Sequence, residues 1–257
     1  FTINRKTLGS SGSVKSITIK EIKDVYDNIY IPCNQFLVLA GNFDYDIVLD
    51  KIRMFYNNMS FKCNKKLPKI IDKRDIVSKY TTYECNLMDE VTVSFKIDIR
   101  DLSNYDGYKL DWYIGWFLDI NFSRYSKINE YINNNDDYIG SIGNSFYYYN
   151  GYLVIEIYAL TSLCDDFENI VISTANGISD DDRELFELVK KNSLTSLSVR
   201  KDSISNYVRP IEDNYITFDY AEVDDIDVIK NFSYDDYKKV INGIDFSYYS
   251  VFYRKKK

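Results

Sequence analysis

The chain has 257 residues, 45% of them hydrophobic and 28% charged, with a formal net charge of −7. That supplies apolar material for one large core or two small ones, and the acidic balance argues against nucleic acid, whose phosphates require a basic face. Histidine is absent altogether, which excludes Ser-His-Asp triads, Cys-His pairs and the common histidine-containing zinc sets.

The 25 tyrosines, with many Asn, Asp, Lys and Ile, read as a compositional bias rather than an aromatic binding surface. The basic runs Asn64-Lys65-Lys66, Lys73-Arg74 and Arg254–Lys257 read as solvated loops or tail. Cys33, Cys63, Cys85 and Cys164 form no C-x-x-C ladder, so reduced cytoplasmic thiols are expected. No apolar run has the roughly 18 residues of a membrane span. Phe1-Thr-Ile-Asn-Arg5 resembles neither a signal peptide nor an initiator, so the chain is expected to begin inside a longer cytoplasmic protein.

In chain order, Thr18-Ile-Lys-Glu21 reads as a capping box opening a helix with Ile22, Val25, Tyr26, Ile29 and Tyr30 on one face. Pro32 ends it. Gln35–Gly41 is a short apolar run and predicts a buried strand. Asp44 caps a second helix carrying Ile47, Val48, Ile52, Phe55 and Tyr56. Residues 60–78 are polar and basic, and are the one candidate boundary. Strand signals follow at Tyr80–Leu87 and at Val91–Ile99, where strict alternation puts one face in a core and one in water. A long helix over 105–121 carries Leu110, Tyr113, Ile114, Phe117, Leu118 and Asn121 as its stripe, with Trp112 and Trp116 flanking. Asn150-Gly151 predicts a tight turn between strands Ile139–Tyr149 and Tyr152–Leu160. Helices are expected at 165–177 and from Ser179 to about 199, with weaker ones over 201–231. Ser233 caps a short one, and a strand closes at Phe246–Tyr253. This order predicts an α+β fold in two layers, a mostly antiparallel sheet with helices on one face.

Chemistry-bearing motifs are few. Asn42, Asp44 and Asp46 have calcium-loop spacing, but Ile47 stands where glycine is needed and Arg53 where a glutamate is needed. The acid runs at 136–137, 165–166, 180–182, 224–225 and 235–236 offer carboxylate pairs of the kind glycosidases use. Several fall where helix caps or turns are expected, which accounts for them without catalysis. Catalytic, cofactor-binding and metal residues are therefore set at none.

One family pattern stands out in Thr7-Leu-Gly-Ser10, Ser16-Ile-Thr-Ile-Lys-Glu-Ile22, Val25-Tyr26, Tyr30-Ile-Pro-Cys-Asn34 and Phe36-Leu-Val-Leu-Ala-Gly-Asn-Phe-Asp44. It resembles the segment joining the two halves of pitrilysin-type zinc metallopeptidases, the group of insulysin and mitochondrial processing peptidase. It is most similar to low-GC bacterial two-half members. The likeness continues through a family hairpin at 79–99 and Tyr125-Ser126-Lys127-Ile128. It implies that residues 1–33 are a connecting segment and first helix, and that 34–257 form the zinc-free, non-catalytic C-terminal half. In such proteins the H-x-x-E-H helix and zinc lie in the N-terminal half, so zinc is expected only there. The resemblance implies that this half helps to enclose a peptide. Its expected partners are the N-terminal half or a paralogue and an extended peptide, without nucleic acid or membrane. The family's assisting Arg and Tyr align with Asn133 and Gly140, so that auxiliary role is lost. The alternative is a structural or regulatory subunit of an inactive homologue that pairs with an active paralogue.

Overall fold

A computed structural model of the protein describes residues 8–59, 71–76, 78–85, 88–123, 142–178, 182–200, 202–219 and 225–256, with single positions 126, 128 and 134. The chain divides into two compact units, Phe1–Lys69 and Ile70–Lys257.

The first unit contains α1 (Ser11–Ser16), α2 (Ile19–Ile29) and α3 (Tyr45–Asn57). The capping box is present. Thr18 Oγ1 accepts from the Glu21 N–H at 3.2 Å, and Glu21 Oε2 accepts from the Thr18 N–H at 2.8 Å. These bonds hold the Glu21 carboxyl below its ordinary range. Asp44 caps α3 by accepting from the Ile47 N–H at 3.0 Å. Local chemistry thus sets both helices, yet neither contains a buried residue. The expected buried strand at 35–41 is corrected: Gln35 has extended backbone, but residues 35–40 belong to no strand and are largely exposed. An apolar run becomes a strand only when a neighbouring strand takes up its peptide groups, and none does so among the described residues. Cys33, on the turn Pro32–Asn34, is disulfide-bonded, whereas Cys164 is a buried free thiol. The expectation of reduced thiols is therefore corrected at Cys33.

The second unit is built on a five-stranded sheet: β1 (Tyr80–Cys85), β2 (Glu90–Asp98), β3 (Ile142–Tyr149), β4 (Tyr152–Leu160) and β5 (Tyr249–Lys256), in the order β1-β5-β2-β4-β3. All neighbours are antiparallel except β1 and β5. The family-style hairpin expected at 79–99 is thereby corrected. β1 and β2 are consecutive along the chain but are not neighbours in the sheet, because β5 enters between them and pairs Val251 with Val93 and Tyr253 with Val91. The two β5 residues face the core, so burial compensates for the long chain closure. The turn at Asn150 (φ 47°) and Gly151 (φ 89°) is as expected, and a Cβ on Gly151 would meet Ile71 at 3.1 Å.

Among the described residues, this unit has the helices α4 (Gly107–Phe122), α5 (Cys164–Ala175), α6 (Arg183–Arg200), α7 (Ile204–Phe218), α8 (Asp225–Lys230) and α9 (Tyr234–Asn242). α4 packs on β3 and against α6 and α9, while α5 packs on β2. Val91, Val93, Phe95 and Ile97 of β2 and Leu153, Ile155, Ile157 and Ala159 of β4 supply the apolar side of the sheet. Each large side chain fully buried there contributes about 1.5–3 kcal/mol. α4 is buried more widely than a single stripe: Trp116 is in the core among Tyr113, Phe186 and Phe232, and its Nε1–H donates to Ser193 Oγ at 2.9 Å. The fold is α+β, as expected.

Candidate functional site

Period-two alternation divides the sheet into two faces. The register places Thr92, Ser94 and Lys96 of β2 beside Tyr158, Glu156 and Val154 of β4, with Gly143, Ser145 and Tyr147 of β3 in line beyond them. On the other side of β2 come Ser250 and Phe252 of β5. These residues lie opposite the core set and are half-buried or exposed. The centre is small and polar and the surroundings aromatic. Gly143 is essential to this arrangement: a Cβ there would come within 2.2 Å of the Tyr158 ring, so the tyrosine lies flat across a residue that has no side chain.

The polar groups of this face are held by neighbours. The Tyr147 hydroxyl donates to Glu156 Oε1 at 3.3 Å, and burial together with that carboxylate pushes the phenol up to about 12. The Lys96 ammonium sits 4.3 Å from the centre of the Tyr152 ring, and burial lowers its pKa. Arg254 pairs with Glu90. Segment 71–74 borders one end of the face, where the Tyr152 hydroxyl donates to the Asp72 carbonyl at 3.0 Å. β3 and β1 are the edge strands. Over its eight residues, Ile142–Tyr149, β3 carries no charge and no proline, so it lacks the usual deterrents to pairing with a further strand.

No catalytic or metal residue was nominated from the sequence, and the acid motifs fall as follows. Asp44 is the cap of α3 and Asp46 lies in its first turn. Asp165 and Asp166 occupy the first turn of α5, and Asp235 and Asp236 that of α9, where they favour the helix dipole. Asp236 also accepts from the Tyr113 hydroxyl at 3.3 Å and pairs with Lys109. The runs at 136–137 and 180–181, and the positions Asn133 and Gly140, lie outside the described residues. Among the described residues no group of three or more Cys, Asp or Glu side chains converges. The chain has no histidine, and of its four cysteines Cys33 is disulfide-bonded and Cys164 is a buried thiol. No described helix is long and apolar enough to cross a membrane.

The sequence reading left unnoticed the buried Glu168 on α5. It accepts from the Tyr80 hydroxyl at 3.1 Å and from the Tyr253 hydroxyl, tying edge strand β1 and β5 to the helix layer. No local pattern marks it, since a single glutamate on a helix usually faces water.

The two-layer fold defines a class, and solved structures share it. An M16-like peptidase from Alicyclobacillus acidocaldarius superposes with a TM-score of 0.77 over 99% of this chain at 17% identity. A structure described as a peptidase M16 inactive domain, from Pseudomonas fluorescens, gives 0.68 over 98% at 12% identity. A ferredoxin protease in complex with Arabidopsis ferredoxin gives 0.54 over 96% at 5% identity and is matched over 27% of its own chain. The chain spans 62% and 61% of the first two proteins. No protein-family profile matches the sequence, and no curated protein does. At these identities the likeness concerns the fold, which is that of M16-like peptidase halves.

Proposed function

We propose that this chain is the non-catalytic, zinc-free part of a two-half M16-type peptidase homologue, and that its open sheet face walls a chamber for an extended peptide. The observation that carries the reading is the match of the whole chain to about three-fifths of longer M16-like proteins. The absence of histidine agrees with it, because the H-x-x-E-H chemistry of such enzymes must then lie elsewhere. Small floor residues ringed by Tyr147, Tyr158 and Phe252 suit an extended backbone with varied side chains. The uncharged β3 edge suits pairing with a peptide strand. The zinc of such a protein would be held by an N-terminal half or a paralogous subunit, and its substrates would be peptides or unfolded proteins. The neighbour in complex with ferredoxin supports a protein substrate class.

A second reading is favoured by the neighbour described as an inactive domain: the parent protein lacks zinc and partners an active paralogue. The test is incubation of the chain with a library of unstructured peptides, with zinc and then with chelator, alongside fluorescence anisotropy of the same labelled peptides. Binding without cleavage in either condition is expected, weakened by Tyr158→Asp. Zinc-dependent cleavage, or no binding by the wild type, overturns the proposal. An H-x-x-E-H helix in the same reading frame upstream favours the peptidase, and its absence favours the inactive partner.

A further inference from the structure

An asparagine followed by glycine can modify itself without an enzyme, because glycine has no side chain to shield its nitrogen from the neighbouring amide. The chain contains three such pairs: Asn150-Gly151, Asn176-Gly177 and Asn242-Gly243. The fold restrains two of them. Asn150-Gly151 is the half-buried turn between β3 and β4. Its Asn150 carbonyl accepts from the Asp72 N–H at 3.0 Å and its Gly151 carbonyl from the Ile99 N–H at 3.1 Å. At the C-terminus of α9, the Gly243 N–H donates to the Lys239 and Val240 carbonyls at 3.2 and 3.1 Å. Asn242 Oδ1 there accepts from the Ile178 N–H at 3.2 Å. Both reacting groups of that pair are therefore engaged.

Asn176-Gly177 differs in each respect. It directly follows α5, and both residues are exposed. Among the described residues the Gly177 N–H makes no hydrogen bond. Nothing lies within 4 Å of the place a Gly177 Cβ would take, and its φ is not positive. The Asn176 side chain is held by one exposed hydrogen bond, from Nδ2 to the Ile172 carbonyl at 2.8 Å.

We infer that Asn176-Gly177 is a self-modification site whose co-reactant is water, and that its conversion loosens α5. The Gly177 nitrogen gives its proton to solvent and attacks Asn176 Cγ. A C–N bond forms, the Cγ–Nδ2 bond breaks, and Nδ2 takes up a proton and leaves as ammonia. Water then adds to one of the two carbonyls of the succinimide ring and opens it to aspartate or isoaspartate. Either product replaces the donor to Ile172 by a carboxylate beside the C-terminal carbonyls of α5, where negative charge opposes the helix dipole. Isoaspartate also adds a methylene to the backbone just before Ile178, whose side chain is buried and whose N–H is tied to Asn242. α5 carries Glu168, the acceptor for Tyr80 and Tyr253, so the change reaches β1 and β5. None of this depends on peptide binding.

The test is incubation of the folded chain at neutral pH and physiological temperature, followed by peptide mapping with mass spectrometry. Conversion is read as the mass gained when an amide becomes an acid, and as separation into aspartate and isoaspartate peptides. The Asn176 peptide converts at least ~10-fold faster than the Asn150 and Asn242 peptides, whose sites must first give up more hydrogen bonds. In the chain unfolded by urea the three rates converge. Gly177→Val, for which there is room, shields the nitrogen and keeps Asn176 intact. Gly177→Ala does so to a smaller degree and replaces it should the valine variant fail to fold, as judged by the fluorescence of Trp112 and Trp116. The urea midpoint of the aged wild type falls, and that of the equally aged Gly177 variant does not. Equal rates in the folded chain, earlier conversion at Asn150 or Asn242, or undiminished conversion in the Gly177 variants overturns the site. Complete conversion with an unchanged midpoint overturns the loosening of α5.

Discussion

Asp111 lies on α4, half-buried against β3, and loss of hydration lifts its carboxyl from 3.8 to about 6. Its neighbour Tyr148 is also pushed up, first by burial and then by the Asp111 charge, and the Tyr148 hydroxyl finds no hydrogen bond of acceptable geometry. Such a raised carboxyl stabilises the fold only while protonated. Its contribution is complete below the ordinary carboxylate value and is lost as pH rises from 4 through 6. Holding the ionised form at neutral pH therefore costs about 3 kcal/mol relative to the unfolded chain. Asp111→Asn removes that charge at nearly constant volume. Urea midpoints followed by the fluorescence of Trp112 and Trp116 on the same helix are expected to give variant and wild type similar stability near pH 4. At pH 7 the variant is more stable by up to about 3 kcal/mol, less whatever its amide loses in hydrogen bonding. Comparing the two proteins at each pH cancels the other carboxylates. A difference that does not change between pH 4 and 7 refutes the reasoning, because it assigns the effect to packing rather than ionisation.

Glu168→Ala leaves the buried Tyr253 hydroxyl and the Tyr80 hydroxyl without their acceptor. A loss of about 2–4 kcal/mol is expected, with amide exchange in β1 accelerating before that in β2. Asp98 accepts from Arg100 at its backbone N–H (2.9 Å), Nε (2.9 Å) and Nη2 (2.5 Å), and these bonds draw its carboxyl down to about 2. That stabilisation is present above the ordinary carboxylate value near 4 and lost as pH falls toward 2. Arg100→Ala is expected to lower stability most above about pH 4, where that stabilisation is fully present, and least near pH 2, where urea midpoints of variant and wild type converge.

Features set by a few adjacent residues were legible in the sequence. The Thr18–Glu21 capping box, the Asp44 and Ser233 caps and the Asn150-Gly151 turn all lie where the chain places them. So does the alternation of β2, which correctly divided a dry face from a wet one. Each depends on hydrogen bonds or steric limits within about four residues, and the α+β class follows from their order.

What only tertiary structure decided involves partners distant along the chain. β5 separates β1 from β2 although those two are consecutive, and Glu168 joins two tyrosines far from it in sequence. The wet face of β2 became a candidate surface only when the register set Tyr158 over Gly143 and placed Phe252 on the same side. Periodicity predicted one stripe on α4, but α6 and α9 pack on it as well as the sheet, burying Trp116. The same periodicity put an apolar stripe on α2, and that stripe is exposed. Amphipathic spacing states that a face requires cover. Whether a layer exists to provide it depends on which strands meet, and that is set by non-local closure in which burial must exceed the entropy of bringing remote segments together.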